Sequence, residues 1–266
     1  ALAAPGLHMS VLPTDGSDEN LRAVLSGRAD FALAQAVNVH NAIHGLGAWK
    51  GTPSPALRTI LSLNTGALTL VAAEEGATIE MQHEGDSAAS AIHSMTDLEG
   101  RRVSYGVRLE GGLRKNAIQL FSMERFVENG RWLDTLNSEE PSIDEVLAML
   151  QNKTIDAFFY TTFHPSDLVT RATRAPRKVR ILPVIGFNRQ ILDYPFLVRT
   201  VIPGTQYPDA AAPEPIPTVG VPTLLVTTES ADEALVRQVT AIVLSQVDQL
   251  RTMHPALSSV SRANLT

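Results

Sequence analysis

The run Gly16-Ser17-Asp18-Glu19-Asn20-Leu21-Arg22-Ala23-Val24-Leu25-Ser26-Gly27-Arg28-Ala29-Asp30-Phe31-Ala32-Leu33-Ala34-Gln35 sets the fold class. Gly16 and Ser17 open a helix, with Ser17 placed as an N-cap. Leu21, Val24 and Leu25 then recur at helical spacing, and Gly27 stops the helix. Phe31–Gln35 is an apolar run of strand length. A helix, a glycine turn and a strand in quick succession are the building unit of an α/β protein.

The pattern continues on both sides. Leu7–Leu12 reads as a short strand before the helix, and Val37–His44 as a second helix ended by Gly45. Leu57–Ala73 holds one or two buried strands. Glu74–Thr96 is polar, acidic and poorly periodic, which suits a connector or hairpin insertion. The theme then restarts with the strand Val103-Ser104-Tyr105, a Gly106–Gly112 loop and a helix from about Leu113 to Asn129. Ser142 and Glu145 have capping-box spacing ahead of the apolar stripe Ile143, Val146, Leu147 and Leu150. Ile155–Tyr160 and Val179–Ile185 are buried strands. Pro195–Pro222 carries seven of the 16 prolines and suits a crossing segment. Val219–Thr228 is a further strand. Ser230 with Glu233 is a second capping-box pair, before a helix to about Met253 whose core face is Leu235, Val239, Ile242, Val243 and Leu250. Pro255 ends it.

Composition narrows the function classes. The 266 residues make one large domain or two medium ones at roughly 100–200 residues per domain. With 44% hydrophobic and 19% charged residues the chain is not a disordered one. It has no cysteine, so disulfides, cysteine nucleophiles and thiolate metal sites are excluded. A net charge of −6 and only 5% aromatics argue against electrostatic or stacking recognition of nucleic acid. Apolar runs fall short of the roughly 18 residues expected of a membrane span.

Few constellations carry chemistry. His40 and His44 put two imidazoles on one helix face, but the residues between them lack the glutamate of a zinc-protease motif and no third ligand is near. A half-buried helix face is the better reading. The loop Gly106–Gly112 follows a strand and precedes a helix, where main-chain N–H groups hold anions. It is neither a Walker A loop nor GxGxxG, so a carboxylate suits it better than a nucleotide. On physics alone Ser17 and Asn20 are capping residues, and Gln35 is a strand-end amide able to point into a cleft. Phe158-Phe159-Tyr160-Thr161-Thr162-Phe163-His164-Pro165 delivers aromatics, hydroxyls and an imidazole from a strand into a loop. No nucleophile elbow or Ser–His–Asp arrangement appears.

Several of these segments together resemble the TAXI-type solute receptors of TRAP transporters. Gly16-Ser17, Asn20-Leu21 and Ser26–Gln35 resemble that family's "GSxENL…SGxADxALxQ" stretch. Asp97–Gly106 is similar to "DLKGKRVSVG", and Ile155–Tyr160 with His164-Pro165 to "IDAFFY…GHP". Tyr194-Pro195, Ile202-Pro203-Gly204 and Tyr207-Pro208 resemble "YP…IPAGTYP". The family's Gly-Ser-Gly-Thr loop stands here as Glu110-Gly111-Gly112-Leu113, and Phe163 replaces the glycine before His-Pro. The family's usual first strand with its Gly/Tyr-rich loop, and its usual end, are not in this sequence, so the chain reads as truncated at both termini.

The resemblance implies a two-lobed, type II periplasmic-binding-protein-like α/β fold, each lobe a mostly parallel sheet flanked by helices. Lobe one would be residues 1–96 plus 197–266 and lobe two 97–196. It implies a non-enzymatic extracytoplasmic receptor, without metal or cofactor, that closes on a small carboxylate and delivers it to a TRAP-type permease. The carboxylate would be glutamate-like or a dicarboxylate. Ser17, Asn20, Gln35, Gly111, Gly112, Tyr160 and His164 would bind it. The rival expectations are a ligand-sensing domain of a regulator and an enzyme on the same fold.

Overall fold

A computed structural model describes residues 7–75, 91–98, 101–104, 141–186, 194, 196–211, 215–254, 257–258 and 260–265. In chain order its helices are α1 (Ser17–Leu25), α2 (Ala36–His44), α3 (Ile143–Gln151), α4 (Asp167–Arg174), α5 (Glu233–Ser245) and α6 (Val247–Met253). Its strands are β1 (Ala32–Gln35), β2 (Leu57–Ala73), β3 (Val103–Ser104), β4 (Ala157–Thr162), β5 (Val179–Leu182), β6 (Val198–Ile202) and β7 (Ile216–Thr228). The fold is mixed α/β, a sheet flanked by helices. The chain divides into two compact units. One comprises 1–65, 110–112 and 221–266, and the other 66–109 and 113–220. The divisions at 65/66 and 220/221 fall inside β2 and β7.

In the first unit, burial decides the local structure. Leu21 and Val24 of α1, Ala32 and Ala34 of β1, Val39 and Ala42 of α2, and Trp49, Leu57 and Val226 share one core. β1 pairs antiparallel with the second half of β7, Ala32 opposite Val226 and Gln35 opposite Thr223. α2 stops where Gly45 takes the left-handed conformation, φ 66°, which costs a glycine nothing. Asp18 ties the helices together: Oδ1 accepts from Asn38 Nδ2 at 3.1 Å and from Trp49 Nε1 at 2.9 Å. The Arg22 guanidinium lies 4.4 Å from the Trp49 ring centre, a cation–π contact.

In the second unit, β4 runs antiparallel to the last part of β2 and parallel to β3. β5 also pairs with β2, and β6 with the first half of β7. Val71, Phe158, Val146, Leu150, Leu168, Ile181 and Tyr207 lie in its core. α3 carries the expected capping box, Ser142 Oγ accepting from Glu145 N–H and Glu145 reaching back to the Ser142 N–H. Beneath these elements lies a buried charge. Asp156, 1% exposed at its side chain, accepts from the Arg102 N–H and Nε at 3.3 Å and from the Arg177 guanidinium at 3.2 Å. Arg177 also donates to the carbonyls of Leu150, Ile155 and Glu75.

Five expectations change. Leu7–Leu12 is not a strand: Met9 is 72% and Val11 87% exposed, so the run lacks the partner and cover that a strand needs. The pairings β1–β7, β2–β4, β2–β5 and β6–β7 are antiparallel, with β3–β4 parallel. A mostly parallel sheet therefore does not describe these pairings, because alternation of helix and strand along a sequence leaves strand direction to long-range partner choice. Gly16, not Ser17, is the N-cap of α1. Asp232, not Ser230, caps α5, accepting from the Ala234 N–H at 2.9 Å, and the expected single helix breaks at Gln246. The Gly106–Gly112 loop and the Leu113–Asn129 helix lie outside the described residues.

Truncating one member of a buried ion pair strands the other charge. Asp156→Ala is therefore expected to lower the unfolding free energy by about 3–5 kcal/mol. Removing Glu229, whose ion pair with Arg58 is more than half exposed on both sides, should cost about 1 kcal/mol or less. Urea unfolding of both variants measures the contrast, and equal losses would contradict it.

Candidate functional site

The site builds from the junction of α1, β1 and α2. Gly16 holds φ 124°, ψ −163°, a region essentially reserved for glycine. Neither α1 nor α2 receives a side-chain cap at its N-terminus. Each thus brings the positive end of its dipole, about half a unit charge, to this junction. The two ends meet, since the N–H of Gln35, the N-cap of α2, donates to Ser17 Oγ at 3.1 Å. Ser17 accepts there, which leaves its own O–H to donate. Both residues are buried.

Gln35 Oε1 is the exception in a well-satisfied neighbourhood. It is buried and has no hydrogen-bond partner among the described residues. An unsatisfied buried acceptor costs roughly 1–3 kcal/mol, so it is a place where a donor from outside gains. Asn20 lies in the same cluster and is engaged at both ends of its amide. Its Nδ2 donates to the Leu33 carbonyl at 2.8 Å and its Oδ1 accepts from Thr14 Oγ1 at 2.5 Å. It fixes the α1–β1 junction and covers an edge carbonyl of β1. The structure thus brings Ser17, Asn20 and Gln35 together, with the open hydrogen-bonding capacity on Ser17 and Gln35.

Tyr160 and His164 belong to the second unit. Tyr160 is buried in its core, and burial raises its hydroxyl pKa. His164 Nε2 lies 2.9 Å from Thr69 Oγ1, and Nδ1 lies 2.6 Å from Tyr207 Oη. The Ser166 N–H donates to Tyr207 Oη at 2.7 Å, so the hydroxyl proton is directed to His164 Nδ1. Nε2–H then donates to Thr69, whose hydroxyl donates to the Ala67 carbonyl at 3.2 Å. Both ring nitrogens are occupied. Burial pushes His164 down to about 4 and Tyr207 up to about 12, so both are neutral at pH 7. Thr69 and Tyr207 carried no individual signal in the sequence; only the His-Pro and Tyr-Pro dipeptides marked the neighbourhood. Gly111 and Gly112 lie outside the described residues.

The depressed His164 value has a sign. The unfolded chain takes up this proton near 6.5, the folded one only near 4. The associated stability is whole above pH 6.5 and is lost as pH falls towards 4. The advantage of wild type over His164→Gln should shrink by about 2 kcal/mol between pH 7 and pH 5, at about 1.4 kcal/mol per pH unit. Urea titrations of both proteins read it directly, and a gap independent of pH would contradict the neutral, locked imidazole.

Among the described residues no helix is long and apolar enough to cross a membrane, and no group of three or more His, Asp or Glu is placed to hold a metal. Solved structures similar to this chain include the effector binding domain of a BenM variant (10% identity, 88% of this chain and 78% of that chain, TM-score 0.44). A putative L-cystine ABC transporter from Listeria monocytogenes is similar at 10% identity, over 94% of this chain and 79% of that chain, TM-score 0.44. XAC2383 from Xanthomonas citri bound to ATP is similar at 11% identity, over 87% and 70%, TM-score 0.46. In structures such as these the chain spans between 54% and 79% of the other chain's length. Residues 2–266 match the NMT1-like family, and the chain belongs to that family.

Proposed function

We propose that this chain is a non-enzymatic extracytoplasmic receptor for a small carboxylate, which it delivers to a membrane permease. The observation that carries the reading is the meeting of two uncapped helix N-termini at Ser17 and Gln35, with Gln35 Oε1 buried and unpartnered. Helix N-termini favour a carboxylate. Gln35 Oε1 favours a ligand that also brings a donor. A glutamate-like solute, with an ammonium beside its carboxylate, meets both demands; a plain dicarboxylate meets one. Ser17 donates to the carboxylate, and Asn20 holds the junction in place. Tyr160 and His164 act by positioning their own unit. The TAXI-like segments support a TRAP-type permease as the partner and main-chain contacts from Gly111 and Gly112.

Calorimetric titration with glutamate, glutamine, 2-oxoglutarate and succinate tests this. Glutamate is expected to bind at one saturable site, without turnover, and more tightly than succinate. Gln35→Ala should weaken glutamate at least tenfold, or about 1.4 kcal/mol. Urea unfolding of the variant verifies that it is folded under the titration conditions. Silence across the panel, or unchanged affinity in Gln35→Ala, would overturn the proposal.

A further inference from the structure

The first turn of α1 carries a half-buried carboxylate that the junction with α2 holds in a fixed place. Asp18 follows Ser17, whose Oγ receives the Gln35 N–H. Its Oδ1 takes two donors, Asn38 Nδ2 at 3.1 Å and Trp49 Nε1 at 2.9 Å. Asn38 lies in the first turn of α2, so the carboxylate stands beside the start of that helix. Oδ2 accepts no hydrogen bond among the described residues, and a carboxylate oxygen has room for about two. Both donors to Oδ1 are neutral groups, so a neutral acceptor would serve those bonds equally. Among the described residues no cation pairs with Asp18. Arg22, one turn further along α1, is engaged instead by the Trp49 ring and the Ala48 carbonyl. Asp15 and Glu19 add negative charge to the same stretch, and the sequence holds no lysine or arginine between Arg28 and Lys50.

We propose that Asp18 selects solutes that carry an ammonium group, receiving that group on Oδ2. Resting on the receptor function proposed for Ser17 and Gln35, this role narrows the solute class to amino acids. A buried or half-buried charge calls for an opposite charge or a full set of hydrogen bonds. A ligand ammonium supplies both, through a charge-assisted bond that is stronger than a neutral one. Gln35, 8% exposed, offers a second acceptor, since Oε1 has no partner among the described residues. An ammonium has three N–H donors, enough for both acceptors. The same carboxylate works against a solute that lacks the cation. A dianion meets Asp18 with like charge, and each helix end offsets this with only about half a unit charge. Discrimination thus has an attractive and a repulsive part. Ser17 and the helix ends take the solute carboxylate, while Asp18 and Gln35 take its ammonium.

Glutamate and 2-oxoglutarate share a carbon skeleton and both carboxylates, and differ by an ammonium in place of a ketone. The ratio of their affinities therefore isolates that group. Calorimetric titration of wild type should give glutamate at least tenfold tighter than 2-oxoglutarate. Asp18→Asn keeps an acceptor oxygen for Asn38 and Trp49 and removes the charge. It should weaken glutamate at least tenfold and leave 2-oxoglutarate unchanged or tighter, with urea unfolding verifying that the variant is folded. Trp49 and Trp132 are the two tryptophans of the chain. As a second readout, on a Trp132→Phe background, saturating glutamate should shift the fluorescence of Trp49, whose Nε1 is bonded to the same carboxylate. Four results overturn the role of Asp18 while the receptor function stands: glutamate binding without preference over 2-oxoglutarate, an unchanged ratio in Asp18→Asn, equal losses of both solutes in that variant, or glutamate binding that leaves Trp49 fluorescence unmoved. Silence of wild type towards every solute tested would overturn the receptor function itself, and the role of Asp18 with it.

Discussion

The carboxylate of Asp156 is the constraint on which the second unit depends. A buried charge is costly unless it is fully paired, and pairing this one recruits the chain from several directions. Its side chain gathers Arg102, at the start of β3, and Arg177, just before β5. Its backbone joins the same region, with the Asp156 N–H donating to the Arg102 carbonyl at 2.7 Å and the Ala73 N–H to the Asp156 carbonyl at 2.8 Å. Arg177 extends the set to the carbonyls of Leu150 and Glu75. One residue thereby fixes the ends of β2, β3, β4 and α3 against one another. A hydrophobic residue in its place would fill the volume and specify none of these positions.

The first unit uses a smaller version of the same device. Asp18 receives Asn38 from α2 and Trp49 from the turn beyond it, while Asn20 secures α1 to β1. Those bonds set the angle at which α1 and α2 present their N-termini. Because Ser17 spends its oxygen on the Gln35 N–H rather than on its own helix, α1 is not capped by the serine its sequence offers. A residue with the chemistry of a cap has been diverted to join two helix ends.

Much of the architecture was legible in the sequence, because hydrophobic period and glycine placement act locally. The helix of Leu21 and Val24, the Phe31–Gln35 strand, the Gly45 stop and the Ser142–Glu145 capping box all depend on residues a few positions apart. The misreadings have one physical source. Ser17 and Ser230 look like caps in isolation, yet a nearby glycine and Asp232 took those positions once the helices had settled. Leu7–Leu12 has a strand's composition and pairs with no strand among the described residues. Pairing direction, and the roles of Thr69, Tyr207 and Asp156, follow from contacts between residues tens of positions apart. Within the candidate site, the residue identities were legible and the satisfaction of their hydrogen bonds was not.

That last distinction separates scaffold from site. His164 is polar, partly buried and carried by a motif, yet both its ring nitrogens are engaged inside its own unit, and Asn20 already bonds through both ends of its amide. A solute reaching either would have to break a bond before making one, so it gains little. Gln35 is in the opposite condition: Oε1 is buried with no partner among the described residues. A ligand donor placed there recovers the cost of that burial without displacing an internal partner. Polar residue type alone therefore does not mark a binding residue. An unfilled hydrogen bond held in place by filled ones does.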